Sequence, residues 1–231
     1  AGAMKIGGAQ IWIDPRCRLP LADLLKSVAI KSANDAAYLT AEFLAGGDIS
    51  AFVGQMNARA AELAMPNTRF VNPYGLPDAN RNDSLSSAEG MVLLGERILE
   101  YPTLMQWAGT QMDFVMVGGK KVELANHNKL IRPQWPGVDG LKTGYTATSG
   151  YCVTVSCLRN GRRLMACVTG FPTADKKTED SRDPFARKLI DWGYQQLAAP
   201  AAVQGTLNQP GRAPVGPVPK TPTEDSRRVR R

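Results

Sequence analysis

Residues 137–171 read GVDGLKTGYTATSGYCVTVSCLRNGRRLMACVTGF, and the alternation within them decides the class of fold. Tyr151 to Leu158 and Arg162 to Gly170 are apolar, β-prone runs. Asn160-Gly161 between them is a two-residue connector whose members tolerate positive φ, so the pair predicts a β-hairpin. Ahead of it, Lys142-Thr143-Gly144 stands where a further sheet strand is expected to start. In the hairpin register Cys157 and Cys167 point to opposite faces, while Cys152 and Cys167 are diagonal neighbours roughly 7 Å apart. Neither pair suits a disulfide, and with Cys17 these cysteines show no metal-ligand spacing, so they read as small buried hydrophobes.

Upstream the pattern is helical, with one strand and one hairpin. Gln10 to Ile13 reads as a short strand. Beyond Pro20, Leu21, Leu24, Leu25, Val28 and Ala29 repeat at three and four. A second helix is expected from about Asn34 to Leu44, ending at Gly46-Gly47, and a third from Asp48 or Ser50 with Phe52, Met56, Ala60 and Leu63 on one stripe. A loop rich in Asn and Pro covers Pro66 to Asp83; Ser86 and Glu89 have the capping-box spacing for a fourth helix that ends before Pro102. Phe114 to Val117 and Lys121 to Leu124 form a hairpin across Gly118-Gly119, and a closing helix runs from Pro184 to Leu197 behind an Asp183 cap. Helices first and antiparallel strands later make an α+β chain.

Length and composition agree with one catalytic-sized body: 231 residues, 43% apolar. No run of 18 or more apolar residues marks a membrane span, and no ordered charged, apolar and small-residue segments mark a secretory signal. The net charge of +7 is uneven. Residues 201–231 hold six Lys or Arg against two acids, +4 of the total, together with five prolines. The chain therefore divides into a domain over 1–199 and a Pro-rich, basic, disordered tail over 200–231. Charge concentrated in a tail does not point to a nucleic-acid partner; it reads first as an inert, solvated extension, with weak contact to an anionic envelope surface as the alternative.

His127 is the single histidine. A Ser-His-Asp triad needs a positioned acid and an exposed serine elbow, neither of which the sequence offers, so His127 reads as a structural hydrogen-bonding residue beside Asn126, Asn128 and Leu130. One histidine without a cysteine or carboxylate cluster does not support a metal site.

Several words occur in one order: Ser32-Ala33-Asn34-Asp35-Ala36-Ala37, then Asn67-Thr68, Phe70, Asn72-Pro73, Gly75-Leu76, then Ser87-Ala88-Glu89-Gly90-Met91, then Gly137 to Gly144. Taken together they resemble the D-alanyl-D-alanine carboxypeptidases among the low-molecular-mass penicillin-binding proteins, over roughly Gly7 to Leu197. Ser32-x-Asn34 and Lys142-Thr143-Gly144 match the second and third motifs of the S-x-x-K, S-D-N, K-T-G pattern. No serine in the chain has a lysine three positions later, so the resemblance sets the nucleophile and its lysine base upstream of residue 1 and leaves these 231 residues inactive alone.

The resemblance implies a β-lactamase/transpeptidase-like α+β fold, an antiparallel sheet flanked by helices with a helical subdomain. It also implies a serine-type carboxypeptidase that needs no cofactor and removes the last D-alanine of peptidoglycan stem peptides outside the cytoplasmic membrane, with β-lactams as inhibitors. Ser32 would relay a proton between base and leaving amine, and Asn34 would hold the substrate amide carbonyl. Lys142 would attract the terminal carboxylate and depress the base lysine's pKa, and Thr143 would offer that carboxylate a hydroxyl. Gly144 completes the motif, the N–H of Tyr145 would form half of an oxyanion hole, and Arg182 would assist with the carboxylate. A class A β-lactamase shares the motifs, but Glu62 and Asn67 have the wrong spacing for its deacylating glutamate. A non-catalytic, peptidoglycan-facing or partner-binding domain of the same fold is the other alternative.

Overall fold

Asn160 and Gly161 adopt φ of 50° and 73°, and the hairpin they close forms the middle and one edge of the larger sheet. In the computed structural model, which describes residues 2–133, 135–172 and 181–198, the chain runs through five helices: α1 (Leu21–Lys31), α2 (Asn34–Leu44), α3 (Ile49–Glu62), α4 (Ala88–Ile98) and α5 (Pro102–Ala108). Strands β1 (Met112–Val117), β2 (Lys120–Ala125), β3 (Val138–Thr146), β4 (Gly150–Arg159) and β5 (Arg162–Phe171) follow, and α6 (Arg182–Ala198) closes the series. Both sheets are antiparallel, one of order β1-β2 and one of order β3-β4-β5, which gives the α+β class. Two compact units make up the chain, Ala1–Gly193 and Tyr194–Arg231; of the second only residues 194–198, the end of α6, are described. The boundary expected after residue 199 and the tail beyond it lie outside the described residues.

The first half is organised around the start of α2. Ile11, Ile13, Leu24, Ile30, Ala33, Ala36, Val115, Val117 and Leu124 form one buried cluster that ties α1 and α2 to the β1-β2 hairpin. Gln10 to Ile13 is not a strand. Its backbone donors go to a side chain instead: the buried Asp35 carboxylate accepts from Ile11 N at 3.1 Å and from Ile13 N at 3.2 Å, and Trp12 between them sits at φ 59°. A carboxylate that binds two segments in this way replaces a sheet ladder.

Elsewhere the differences from expectation are local. Ser87, not Ser86, caps α4 by accepting from Gly90 N at 3.1 Å; Ser86 Oγ instead shares a hydrogen bond with Thr68 Oγ1 at 2.8 Å. Pro102 starts α5 rather than only terminating α4, because proline at the first helical position loses no hydrogen bond there. β3 begins at Val138, so Lys142-Thr143-Gly144 lies within the strand rather than at its start. The last helix begins at Arg182, ahead of Pro184, with Asp183 in its first turn rather than as its cap.

The larger sheet is packed through small residues. Gly95 of α4 lies against Met165 and Leu141 so closely that a Cβ there would stand 2.2 Å from Met165 Cε. Gly193 of α6 meets Leu164 in the same manner. Gly137, at φ 88°, leads into β3 with Leu158 O only 2.6 Å from where its Cβ would be, so the tight approach and the positive φ both demand glycine. Cys17, Cys152, Cys157 and Cys167 all lie outside disulfides; Cys157 is buried, and Thr154 Oγ1 donates to Cys167 Sγ at 3.4 Å.

Candidate active site

Ser32 ends α1 in the left-handed region, φ 59° and ψ 38°, where a glycine would be unstrained. Ser32 N still donates to Val28 O at 3.1 Å, and Ala33 N to Ser27 O at 3.2 Å. The turn thus stops the helix and directs the hydroxyl sideways, at a conformational cost of about 1 kcal/mol. α2 starts two residues later at Asn34, whose N donates to Ala9 O at 2.8 Å and whose Nδ2 donates to Gly7 O at 2.9 Å.

β3 approaches from the other side of a cleft of about 800 Å³. Among the described residues it pairs with β4 alone. Lys142 Nζ donates to Ser32 Oγ at 2.7 Å and to Thr143 O at 2.8 Å, so side chains 110 positions apart in sequence meet directly. An ammonium group has three donors, and two are used here. Withdrawal from water, and then the positive charge of Arg182, push the Lys142 pKa down to about 8.

The remaining wall is built from the rest of β3, the start of α6 and one loop. Thr143, Gly144 and the exposed Tyr145 continue along β3, and the Tyr145 ring rests 4.5 Å from that of Tyr151. Arg182 Nη1 donates to Cys152 O at 3.2 Å; Arg182 also pairs with Asp183 at 2.6 Å, and its guanidinium lies 6.0 Å from the Tyr151 ring centre. Opposite, Asn72 folds the Pro73–Leu76 loop over the cleft: its Oδ1 accepts from Tyr74 N and Gly75 N, and its Nδ2 donates to Leu76 O at 2.5 Å. The Asn-Pro-x-Gly-Leu stretch is therefore a self-bonded loop.

All seven residues singled out from sequence, Ser32, Asn34, Lys142, Thr143, Gly144, Tyr145 and Arg182, line this one cleft. Sequence reasoning missed Lys129, Tyr74, Tyr151 and Phe171, which line it too, and it misjudged His127. His127 is exposed on the cleft wall, whereas the structural hydrogen bonds expected of it are made by its neighbours Asn126 and Asn128. The flanking asparagines were the available signal, since a residue between two backbone-binding side chains has its own side chain turned outward.

The arrangement can hold an anion beside Lys142 and Arg182 and pass a proton between Ser32 and an adjacent group. Residues 2–173 match the family model described as D-alanyl-D-alanine carboxypeptidase. The chain is 36% identical over 195 residues to D-alanyl-D-alanine carboxypeptidase DacF of Bacillus subtilis, covering 84% of this chain and 48% of that protein. In structure it resembles the D-alanyl-D-alanine carboxypeptidase of Mycobacterium tuberculosis, with a TM-score of 0.74 at 25% identity over 84% of this chain and 71% of that one. It also resembles penicillin-binding protein D2 of Listeria monocytogenes in its ampicillin-bound form, with a TM-score of 0.68 at 28% identity over 82% and 74% of the two chains. The chain spans about half the length of the curated relatives it matches.

Proposed function

The chain belongs to the D-alanyl-D-alanine carboxypeptidase family, and on that basis we propose that the whole protein removes the terminal D-alanine of peptidoglycan stem peptides through a serine acyl-enzyme, outside the cytoplasmic membrane. The observation that carries this reading is the 2.7 Å contact between Lys142 Nζ and Ser32 Oγ, which brings the second and third motifs together and so supports a proton relay beside an ammonium able to attract a carboxylate.

The nucleophile is the serine of an S-x-x-K segment, which the motif order of the family sets N-terminal to Ser32. Its hydroxyl attacks the carbonyl of the penultimate D-alanine, and the S-x-x-K lysine accepts the proton. The C–N bond then breaks, and Ser32, hydrogen-bonded to Lys142, gives its hydroxyl proton to the departing D-alanine amine while taking up the one held by the S-x-x-K lysine, so that the base is free again. Lys142, Thr143 and Arg182 hold the terminal carboxylate, Asn34 holds the amide carbonyl of the substrate, and the N–H of Tyr145 supports the oxyanion. Water hydrolyses the ester and releases the shortened peptide. β-Lactams enter as acylating analogues, and peptides and β-lactams share the same cleft.

The test is D-alanine release from a stem peptide ending in D-Ala-D-Ala, with intact-mass spectrometry after penicillin treatment, on the protein in its full natural length. Release together with a stoichiometric adduct on the S-x-x-K serine is expected. An adduct on Ser32 would overturn the assignment of roles, rapid turnover of penicillin would favour a β-lactamase, and neither release nor adduct would leave a non-catalytic domain.

A further inference from the structure

His127 stands apart from every role assigned above, yet the loop that carries it is built to present it. Asn126 N donates to Gln111 O at 2.9 Å, and Asn126 Nδ2 donates to Ala108 O and Thr110 O at 3.1 and 2.9 Å. Asn126 Oδ1 in turn accepts from Asn128 N at 2.9 Å, and the buried Asn128 accepts from Leu130 N at 3.1 Å. Backbone and side-chain bonds thus lock the chain on both sides of residue 127, and the imidazole projects from this rigid support onto the wall that it shares with Lys142.

Resting on the reading of the cleft as a carboxypeptidase site, we propose that His127 is a further substrate-reading residue, which takes up a proton as the substrate's terminal carboxylate settles by Lys142 and then donates to that carboxylate.

The charge pattern supplies the reason. The charges acting on His127 come from Lys142 on β3 and Lys31 at the end of α1. Lys129 in its own loop and Arg182 at the start of α6 line the same cleft. Among the described lining residues the one carboxylate is Asp183, and it is paired with Arg182 at 2.6 Å. In the empty cleft, the partial withdrawal of this side chain from water and then the two lysines hold the His127 pKa below its usual value, which favours the neutral imidazole near pH 7. An anion beside Lys142 cancels the field of that lysine and adds attraction of the opposite sign. Both effects favour imidazolium, which has N–H donors where the neutral ring has one donor and one acceptor.

Linkage then fixes the sign. A group whose pKa is higher in the complex than in the free protein binds a proton on association, so carboxylate affinity rises as pH falls through the pKa of the complex. It levels off below the pKa of the free protein. Each unit of separation between those two values is worth about tenfold in affinity.

The experiment compares the full-length protein with His127→Gln, which is neutral at every pH, and His127→Arg, which is permanently charged. KM and kcat for D-Ala-D-Ala peptide hydrolysis are measured from about pH 5.5 to about pH 8, across the histidine range, with thermal melts to establish that both exposed-site variants fold. The wild-type KM is expected to fall roughly three- to tenfold from the top to the bottom of that range. Titration of Lys142, with its pKa of about 8, contributes to the change above about pH 7 in all three proteins; below that the Gln variant should lose the remaining slope, with the change falling on KM rather than kcat, and the Arg variant should keep a low KM. If the Gln variant retains the wild-type slope while D-alanine is still released, the inference about His127 is overturned and the carboxypeptidase reading stands. If no D-alanine is released by any of the three, that reading fails and this inference falls with it.

Discussion

Replacing Lys142 by methionine should stabilise the fold while disabling the site, and the pH dependence of the gain identifies its cause. The Lys142 pKa lies at about 8, against 10.5 in the unfolded chain. That difference corresponds to roughly 3 kcal/mol of unfavourable energy for holding the ammonium in the cleft at neutral pH. Methionine keeps the length and removes the charge. It also removes the N–H donations to Ser32 Oγ and Thr143 O, worth about 1 kcal/mol each. The net gain is therefore about 1 kcal/mol near pH 7, a rise in melting temperature of about 2–4 °C.

The sign of the pH effect is opposite to that of a lysine stabilised by a partner. Between the folded and unfolded pKa values the unfolded chain binds more protons, so wild-type stability rises with pH across that window. For this residue the wild type should gain about 2 kcal/mol between about pH 7 and pH 9.5, whereas Lys142→Met gains nothing from this source. Paired melts of wild type and variant at the two pH values measure the difference directly, because titrations elsewhere are common to both. Parallel stability curves over that interval would refute the claim that the cleft strains Lys142, and with it the electrostatic account of the site.

Ser32→Ala removes the hydroxyl bonded to Lys142 and should lower penicillin acylation of the full-length protein by about 10²-fold or more; acylation at the parental rate in intact-mass time courses would exclude Ser32 from the proton path. Asp35→Asn sets an amide where the carboxylate binds Ile11 N and Ile13 N, and should cost about 3 kcal/mol, read as a fall of about 6–12 °C in melting temperature; an unchanged melt would show that the 7–13 segment is held by other contacts. Arg182→Gln takes away the charge that, after burial, depresses the Lys142 pKa. Carboxylate binding should be weaker overall in this variant yet persist to higher pH, and an alkaline limb of kcat/KM that stays put or moves down would contradict this.

The helices and hairpins were legible because local chemistry decides them. Asn160-Gly161 and Gly118-Gly119 suit positive φ, and the structure has it at all four residues; the apolar period set α1, and Gly46-Gly47 set the end of α2. The errors arose where a residue's partner lies far along the chain. Gln10–Ile13 has the composition of a strand, but the Asp35 carboxylate takes its donors. Ser86 has the spacing of a cap, but Thr68 takes its hydroxyl. Neither competitor can be recognised from a local pattern.

The site divides along the same line. Residue type, order and the family resemblance were enough to single out Ser32, Asn34, Lys142, Thr143, Gly144, Tyr145 and Arg182: the first two and the Lys-Thr-Gly triplet stand in recognisable words of sequence, and Tyr145 and Arg182 were placed by their positions after that triplet and ahead of the closing helix. Tertiary structure alone decided that Lys142 reaches Ser32 across 110 positions at 2.7 Å, that burial and Arg182 lower its pKa, and that His127 faces the cleft rather than bonding within its loop. Distances and local dielectric depend on which segments pack together, and that packing is a property of the folded whole, which no window of sequence contains.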